Sequence, residues 1–354
     1  MKIVVILPNR EEFLAYEILK SLLRYGAKVY CASLEIIKFM LISANKDLEI
    51  GIDCLNKCNI CNDFEIIEHA KDADLIFALG SRYHSPNYTN CGYKFFLLDE
   101  INRPEKTIFI DGSEWTASGW KNSFQKDCLK NKVKKNFYRG EPWIDKFMRE
   151  RARWYFKRET YLEDYQSQGI IPLPYPHRLE DKQTQRINDE REIDLFVSFG
   201  QVNTGLRSDL IEILKTNFKE FRVLNSFSNN KRFFSNLLNS YLALDAWGAG
   251  NCNVRSQMIQ INSVALICQK WEILNPYPFK DGENIIEYTD IQEFIEKCQY
   301  YLENKEILIK IGKKGYEHSI KFHTSEKRLE YILNIINGKL DLKKKFGISN
   351  FNFN

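Results

Sequence analysis

Lys2 to Leu7 is a β-branched apolar run, and behind it Phe13, Leu14, Ile18, Leu19, Leu22 and Leu23 recur at helical spacing. Gly26 ends that pattern, and Ala27 to Ala32 restores strand character. Strand, helix and strand in succession make a βαβ unit. Its right-handed crossover buries the strands between helices, so the expectation is a parallel, Rossmann-like sheet. Asp74 to Leu79 and Lys106 to Ile110 extend it. Each ends in a polar or glycine-bearing loop, Gly80-Ser81-Arg82-Tyr83-His84 and Asp111-Gly112-Ser113-Glu114. In open parallel sheets such carboxyl-end loops form the ligand crevice.

A second α/β pattern begins further on. Ile193 to Phe199, Phe221 to Leu224, Leu242 to Ala246, Ser263 to Cys268 and Ile285 to Tyr288 read as strands. Leu206 to Leu214, Ile291 to Leu302, Ile307 to Phe322 and Ser325 to Ile336 read as helices. Between the two patterns lies Ile171-Pro172-Leu173-Pro174-Tyr175-Pro176, whose prolines cannot donate to a ladder, followed by a polar stretch to Arg191. The expected organisation is a domain over 1–170, a linker over 171–191, a second domain over 192–337 and a tail over 338–354. A length of 354 residues suits two domains.

Apolar residues make up 44% of the chain and charged residues 28%, so the chain has ample material for hydrophobic cores. Lysine and arginine number 51 against 47 acidic residues, a formal charge of +4. That balance does not indicate a nucleic-acid coat protein, and no nucleic-acid module accompanies it. The first apolar run is short and followed by charge, so no secretory signal is expected, and no stretch reads as a membrane span. Nine cysteines in such a chain read as reduced thiols in a cytoplasmic protein.

The later residues form a recognisable series: Asp245-Ala246-Trp247-Gly248-Ala249-Gly250, Arg255, Ser263-Val264-Ala265-Leu266-Ile267-Cys268-Gln269, Pro276, and the run from Pro278 to Tyr288. The series resembles group 1 glycosyltransferases of GT-B fold, nearest the spore-maturation, CgeB-like branch. Ile110-Asp111-Gly112-Ser113-Glu114 and Tyr155-Phe156-Lys157-Arg158-Glu159 with Ile171-Pro172-Leu173-Pro174 agree with it. The resemblance implies two Rossmann-like domains facing each other across a cleft. It also implies a nucleotide-sugar donor on the C-terminal domain, and a glycan or lipid-linked acceptor hydroxyl on the N-terminal one.

A departing nucleoside diphosphate gains negative charge, so an enzyme working without a metal must offer amides, arginine or lysine there. No cofactor or metal is expected. Arg255, just after the Gly248 to Gly250 turn, fits that demand at a presumed helix start. Asn203 and Arg207, between the first strand and helix of the second domain, can reach the phosphates from the other side. Lys280 and Asn284 lie on the loop that the resemblance puts beside the donor's sugar and phosphates. The family's paired glutamates would fall at Gly250 and Met258, so the chain departs from the pattern there, and Gln257 or Gln260 is left for the ribose. His84, Asp111 and Glu114 are the candidates for deprotonating the acceptor.

From Lys130 to Arg158, eleven basic residues face three acidic ones, with seven aromatics interleaved. The stretch can bind an anionic acceptor, lie peripherally on anionic lipid at the inner face of the membrane, or be the solvated face of helices packed by Trp143, Phe147 and Trp154. Cys54, Cys58 and Cys61 have the C-x3-C-x2-C spacing that resembles radical S-adenosylmethionine enzymes, where three thiolates hold an iron–sulfur cluster. Zinc held with His69 or Cys91, or three incidental thiols, are the other readings of that spacing. A catalytically inactive glycan-binding relative is the remaining alternative.

Overall fold

The computed structural model describes residues 1–7, 13–32, 58–80, 96–112, 146–183, 190–199, 207–226, 230–247 and 251–346. They divide into two compact units. The described parts of 1–117, 143–175 and 325–354 form the first, and those of 176–324 the second. His84, Glu114, Asn203, Gly248, Gly250, Cys54 and Cys91 lie outside the described residues.

The first unit is an open, wholly parallel sheet. Its strands are β1 (Lys2–Ile6), β2 (Lys28–Ala32), β3 (Cys58–Cys61), β4 (Leu75–Gly80), β5 (Thr107–Asp111), β6 (Trp154–Lys157) and β7 (Ile171–Pro172), in the order β3-β2-β1-β4-β5-β6-β7. Ile3 to Ile6 are all fully buried, as the β-branched run requires of a strand covered on both faces. Helices α1 (Phe13–Arg24), α2 (Asp63–Lys71), α3 (Leu97–Ile101), α4 (Lys146–Arg151) and α5 (Leu162–Gln168) belong to the same unit. α2 starts on a capping box: the Glu65 N–H donates to Asn62 Oδ1 at 2.9 Å and the Asn62 N–H to Glu65 Oε2 at 2.8 Å.

Three expectations change here. The proline-rich segment is not wholly a linker, because Ile171 and Pro172 form β7 at the sheet edge, where a proline lacking its N–H is tolerated. The described end of the Lys130 to Arg158 stretch is not all helix face, since after Lys146–Arg151 the residues Trp154 to Lys157 form β6 and the Lys157 and Arg158 side chains are buried. Cys58 and Cys61 open and close β3, and strand alternation sends residues three apart to opposite faces, which does not present both thiols to one iron–sulfur cluster. Among the described residues no group of three His, Cys, Asp or Glu side chains is placed to hold a metal ion. His69 instead lies against Tyr30, with ring centroids 3.8 Å apart.

The second unit runs β8 (Ile193–Val197), α6 (Arg207–Asn217), β9 (Val223–Asn225), α7 (Asn230–Leu238), β10 (Ser240–Asp245), α8 (Val254–Ile261), β11 (Ala265–Gln269), β12 (Ile286–Tyr288), α9 (Ile291–Glu303) and α10 (Lys305–Phe322). Its parallel strands lie in the order β9-β8-β10-β11-β12. Alternation along the strands makes two cores. Leu195, Val197, Leu242, Leu244 and Ile267 pack with Leu210, Phe294, Cys298 and Leu308 from α6, α9 and α10. Phe196, Ala243, Leu266 and Cys268 pack with Phe233, Leu237 and Ile259 from α7 and α8. The chain reverses its direction of growth between β8 and β10, and that switch point opens a crevice at their carboxyl ends.

The chain's last described helices return to the first unit. α11 (Ser325–Ile336) packs on α1, where Arg24 pairs with Glu326 at 2.6 Å and the Ser325 hydroxyl donates to the buried Glu17 carboxylate. The expected domain end at residue 337 is thus replaced by a division at 324/325. The expected tail is ordered at its start as α12 (Leu342–Phe346), with Leu342 buried and the Phe346 ring 5.5 Å from that of Tyr165.

Gly312 is where α10 meets β11. A Cβ there would lie 2.4 Å from the Ser263 carbonyl oxygen and 2.9 Å from the Ala265 nitrogen, both main-chain atoms. Replacing an interior helical glycine by alanine ordinarily gains about 1 kcal/mol, whereas overpacking against backbone costs about 1–3 kcal/mol or more. The backbone clash therefore decides the sign. Gly312→Ala is expected to lower the midpoint of thermal unfolding by several degrees, and an unchanged or raised midpoint would show that α10 is not seated this closely.

Candidate functional site

The switch-point crevice is built from four short segments of the second unit. Asp245 closes β10, Phe199 follows β8, Arg207 opens α6 and Arg255 is the second residue of α8. Asp245 is almost wholly buried, so its carboxylate needs donors. It accepts from the Ala246 N–H at 3.0 Å, Arg255 Nη1 at 3.1 Å, Asn253 Nδ2 at 3.4 Å and the Ser256 hydroxyl. The bond to its own neighbour's N–H turns the chain out of the strand, as aspartate side chains do in turns.

Asn253 occupies the N-cap of α8 in extended conformation but does not cap with its side chain. Its amide instead donates to the Ala246 carbonyl at 2.9 Å as well as to Asp245. No acidic residue stands in the first turn. Among the described residues the Val254 and Arg255 N–H groups thus have no side-chain acceptor, while the Ser256 N–H donates to the Asn253 carbonyl at 3.1 Å, and the positive end of the helix dipole lies at the crevice.

The guanidinium carbons of Arg207 and Arg255 stand 5.3 and 5.6 Å from the centre of the same Phe199 ring. Arg207 is buried and donates to the Ala246 carbonyl at 3.1 Å. Arg255, with 18% of its side chain exposed, keeps one edge toward solvent. Two guanidinium groups thus gather beside the Asp245 carboxylate, against one aromatic face. Such a cluster at a strand-end crevice is suited to a bound anion, above all one with several oxygens that can be gripped in two places.

Burial pushes the Cys268 thiol and the Tyr288 hydroxyl well above their ordinary ranges, with nearby carboxylates and thiols adding to the effect. Burial, reinforced by the Asp281 carboxylate, also raises the Glu287 carboxyl. The side-chain oxygen of Gln269, at the end of β11, is buried with no hydrogen-bond partner among the described residues.

The other predicted residues are placed as follows. Gln257 is buried in α8, its amide donating to Cys252 Sγ at 3.8 Å. Asn284 is buried and accepts from the Lys280 N–H at 2.7 Å, so its side chain closes the 280–284 turn. Lys280 is 72% exposed and 3.8 Å from Glu283. In the first unit, Asp111 ends β5 and receives the Tyr155 hydroxyl and Lys157 Nζ on the same oxygen, each at 2.8 Å. That buried ion pair joins the ends of β5 and β6. Sequence reasoning missed Asp245, Asn253 and Ser256 as organisers of the site and Phe199 as the platform between the two arginines.

Residues 218–334 match a sequence family described as glycosyl transferase-like. No curated protein sequence matches the chain. Among solved structures it is similar to an alpha-glucosyltransferase in complex with UDP-glucose and DNA containing an abasic site, at TM-score 0.56 and 9% identity over 95% of this chain and 99% of that one. It is also similar to HepE of Anabaena in complex with UDP, at 0.52 and 9% over 96% and 100%. A glycosyltransferase from Rickettsia africae gives 0.55 and 9% over 98% and 99%. The fold is therefore the GT-B fold of glycosyltransferases.

Removing Arg255 leaves the Asp245 carboxylate three other donors, whereas removing Asp245 strips the shared acceptor from all of them. Asp245→Ala is expected to cost about 3–5 kcal/mol in denaturant unfolding, and Arg255→Ala clearly less. Equal losses for the two variants would show that the carboxylate is not the hub.

Proposed function

We propose that this chain is a glycosyltransferase that moves a sugar from a nucleotide-sugar, of the uridine diphosphate type, to a hydroxyl of a glycan or other glycoconjugate. The observation that carries the reading is the pair of guanidinium groups on Phe199, set beside the uncapped start of α8 at a topological switch point. The glycosyl transferase-like match over residues 218–334 includes Asp245 and Arg255, and UDP occupies two of the similar structures, in one case as UDP-glucose. The CgeB-like branch of group 1 remains our proposed placement, on the Asp245 to Tyr288 series.

In this reading the bond from the anomeric carbon to the diphosphate oxygen breaks and the oxygen keeps the electron pair. Arg255, Arg207 and the first-turn amides of α8 stabilise the charge as it develops, and no metal is required. The acceptor oxygen bonds to the anomeric carbon and gives up its proton. His84 and Glu114 are our proposed bases, with Asp111 a third candidate that would first have to exchange its Tyr155 and Lys157 partners. Gln257 and Lys280 are proposed to serve the ribose and phosphate ends of the donor, with Asn284 holding the loop on which Lys280 stands.

We place the enzyme in the cytoplasm. Among the described residues no helix is long and apolar enough to cross a membrane. Peripheral contact with anionic lipid would have to use the outer cations of 130–158, because Lys157 and Arg158 are buried.

The test is thermal unfolding against UDP, GDP, CMP and ADP. UDP is expected to raise the midpoint, because a ligand at about a hundred times its Kd stabilises the folded state by about 2.7 kcal/mol. Arg255→Ala is expected to remove that response while remaining folded. A flat response across all four nucleotides, or an unaltered UDP response in Arg255→Ala, would overturn the reading.

A further inference from the structure

A group of charges not used by the donor crevice surrounds a cavity of about 890 Å³ in the first unit. Trp154 and Ile171, the first residues of β6 and β7, and Glu105, just before β5, place it at the amino ends of the strands. It is separated from Asp111 by the length of β5, about 13 Å. The space is in the range of small-molecule sites and too large for a lone phosphate.

The cations and carboxylates of its lining are not equally committed. Glu105 pairs with Arg103 at 3.3 Å, Glu150 with Arg151 at 3.4 Å, and Asp341 accepts the Lys343 and Lys344 N–H groups at the start of α12. Arg149, Arg153 and Lys343 have no carboxylate within ion-pair distance among the described residues. The cavity therefore presents three open positive charges beside carboxylates that already have partners: Glu105 has Arg103, Glu150 shares Arg151 with Asp99, which lies closer at 2.6 Å, and Asp341 has main-chain N–H groups. Arg153 lies over the Trp154 ring with its guanidinium carbon 4.7 Å from the centre, which holds the fork in place and covers that face of the indole. A covered indole face is no platform for a nucleotide base. Carboxylates engaged through one or two bonds keep lone pairs free for hydroxyl donors.

We propose that this cavity binds an acidic saccharide of about disaccharide size. Arg149, Arg153 and Lys343 hold its anionic group, and Glu105, Glu150 and Asp341 accept from its hydroxyls. The inference stands on the lining of the cavity and does not depend on the donor reading. A concave site with charges of both signs suits a polyhydroxylated anion better than a lipid surface, which meets a convex or flat basic face.

Calorimetric titration of the whole chain at low salt, with uronate, sulfate and phosphate disaccharides and their neutral counterparts, tests it. At least one acidic disaccharide is expected to bind at least about tenfold more tightly than its neutral counterpart, and to weaken as salt is raised. The combined variant Arg149→Gln, Arg153→Gln, Lys343→Gln is expected to lose that preference while keeping its unfolding midpoint and its response to UDP. Should it not fold, Lys343→Glu alone is expected to weaken binding at least about threefold. The proposal is overturned if no acidic disaccharide exceeds its neutral counterpart, if inorganic phosphate binds as tightly, or if the charge-removed chain binds unchanged. Binding to anionic vesicles that acidic disaccharides do not displace would overturn it in favour of a lipid contact.

Discussion

The buried carboxylate of Asp245 is the constraint on which the second unit's crevice depends. A carboxylate that deep must collect donors or not be charged, and here the donors come from the turn and from the first residues of α8. Satisfying it fixes where the helix begins relative to β10. It also turns the Asn253 side chain away from the capping position and lays Arg255 over Phe199 beside Arg207. One act of hydrogen-bond satisfaction thus leaves amides uncapped and two cations side by side, an arrangement that is costly when empty and favourable around an anion.

The sheet order explains why those pieces meet. In the order β9-β8-β10-β11-β12, the connections after β8 and β10 leave in opposite directions, so the starts of α6 and α8 flank one crevice. The cores on the two faces hold the strands, and the contact of α10 through Gly312 keeps β11 seated next to β10. Packing tolerances are therefore tight behind the crevice, while the crevice itself is polar. The first unit has the same parallel construction, with its own buried ion pair, Asp111 with Lys157, at the carboxyl ends of β5 and β6.

Much of this was legible from residue pattern. Apolar runs marked β1, β2, β4, β5, β8, β10 and β11, and α11 falls on Ser325 to Ile336 as the spacing of its apolar residues required. What escaped were elements whose local chemistry pointed elsewhere. β3 is four residues long and bounded by cysteines, so metal-ligand spacing dominated its reading. β6 has cations at its ends, of which Lys157 is buried against Asp111, far away in sequence, and Arg158 between its neighbour Glu159 and the Tyr175 ring. β7 carries a proline that only an edge position permits. The return of α11 to the first unit rests on Glu17 meeting Ser325, a contact across most of the chain that no periodicity reveals. In the same way Arg255 was visible as a cation after a glycine turn, while Asp245, the residue that orients it, became apparent only once β10 was seen to end there.

The most direct measurement is the crystal structure of the chain with UDP bound. The diphosphate is expected against the amides of Val254 and Arg255, with the Arg255 guanidinium on its oxygens and the Asp245 carboxylate still holding its donors. A diphosphate bound elsewhere, with Arg255 undisturbed over Phe199, would contradict it.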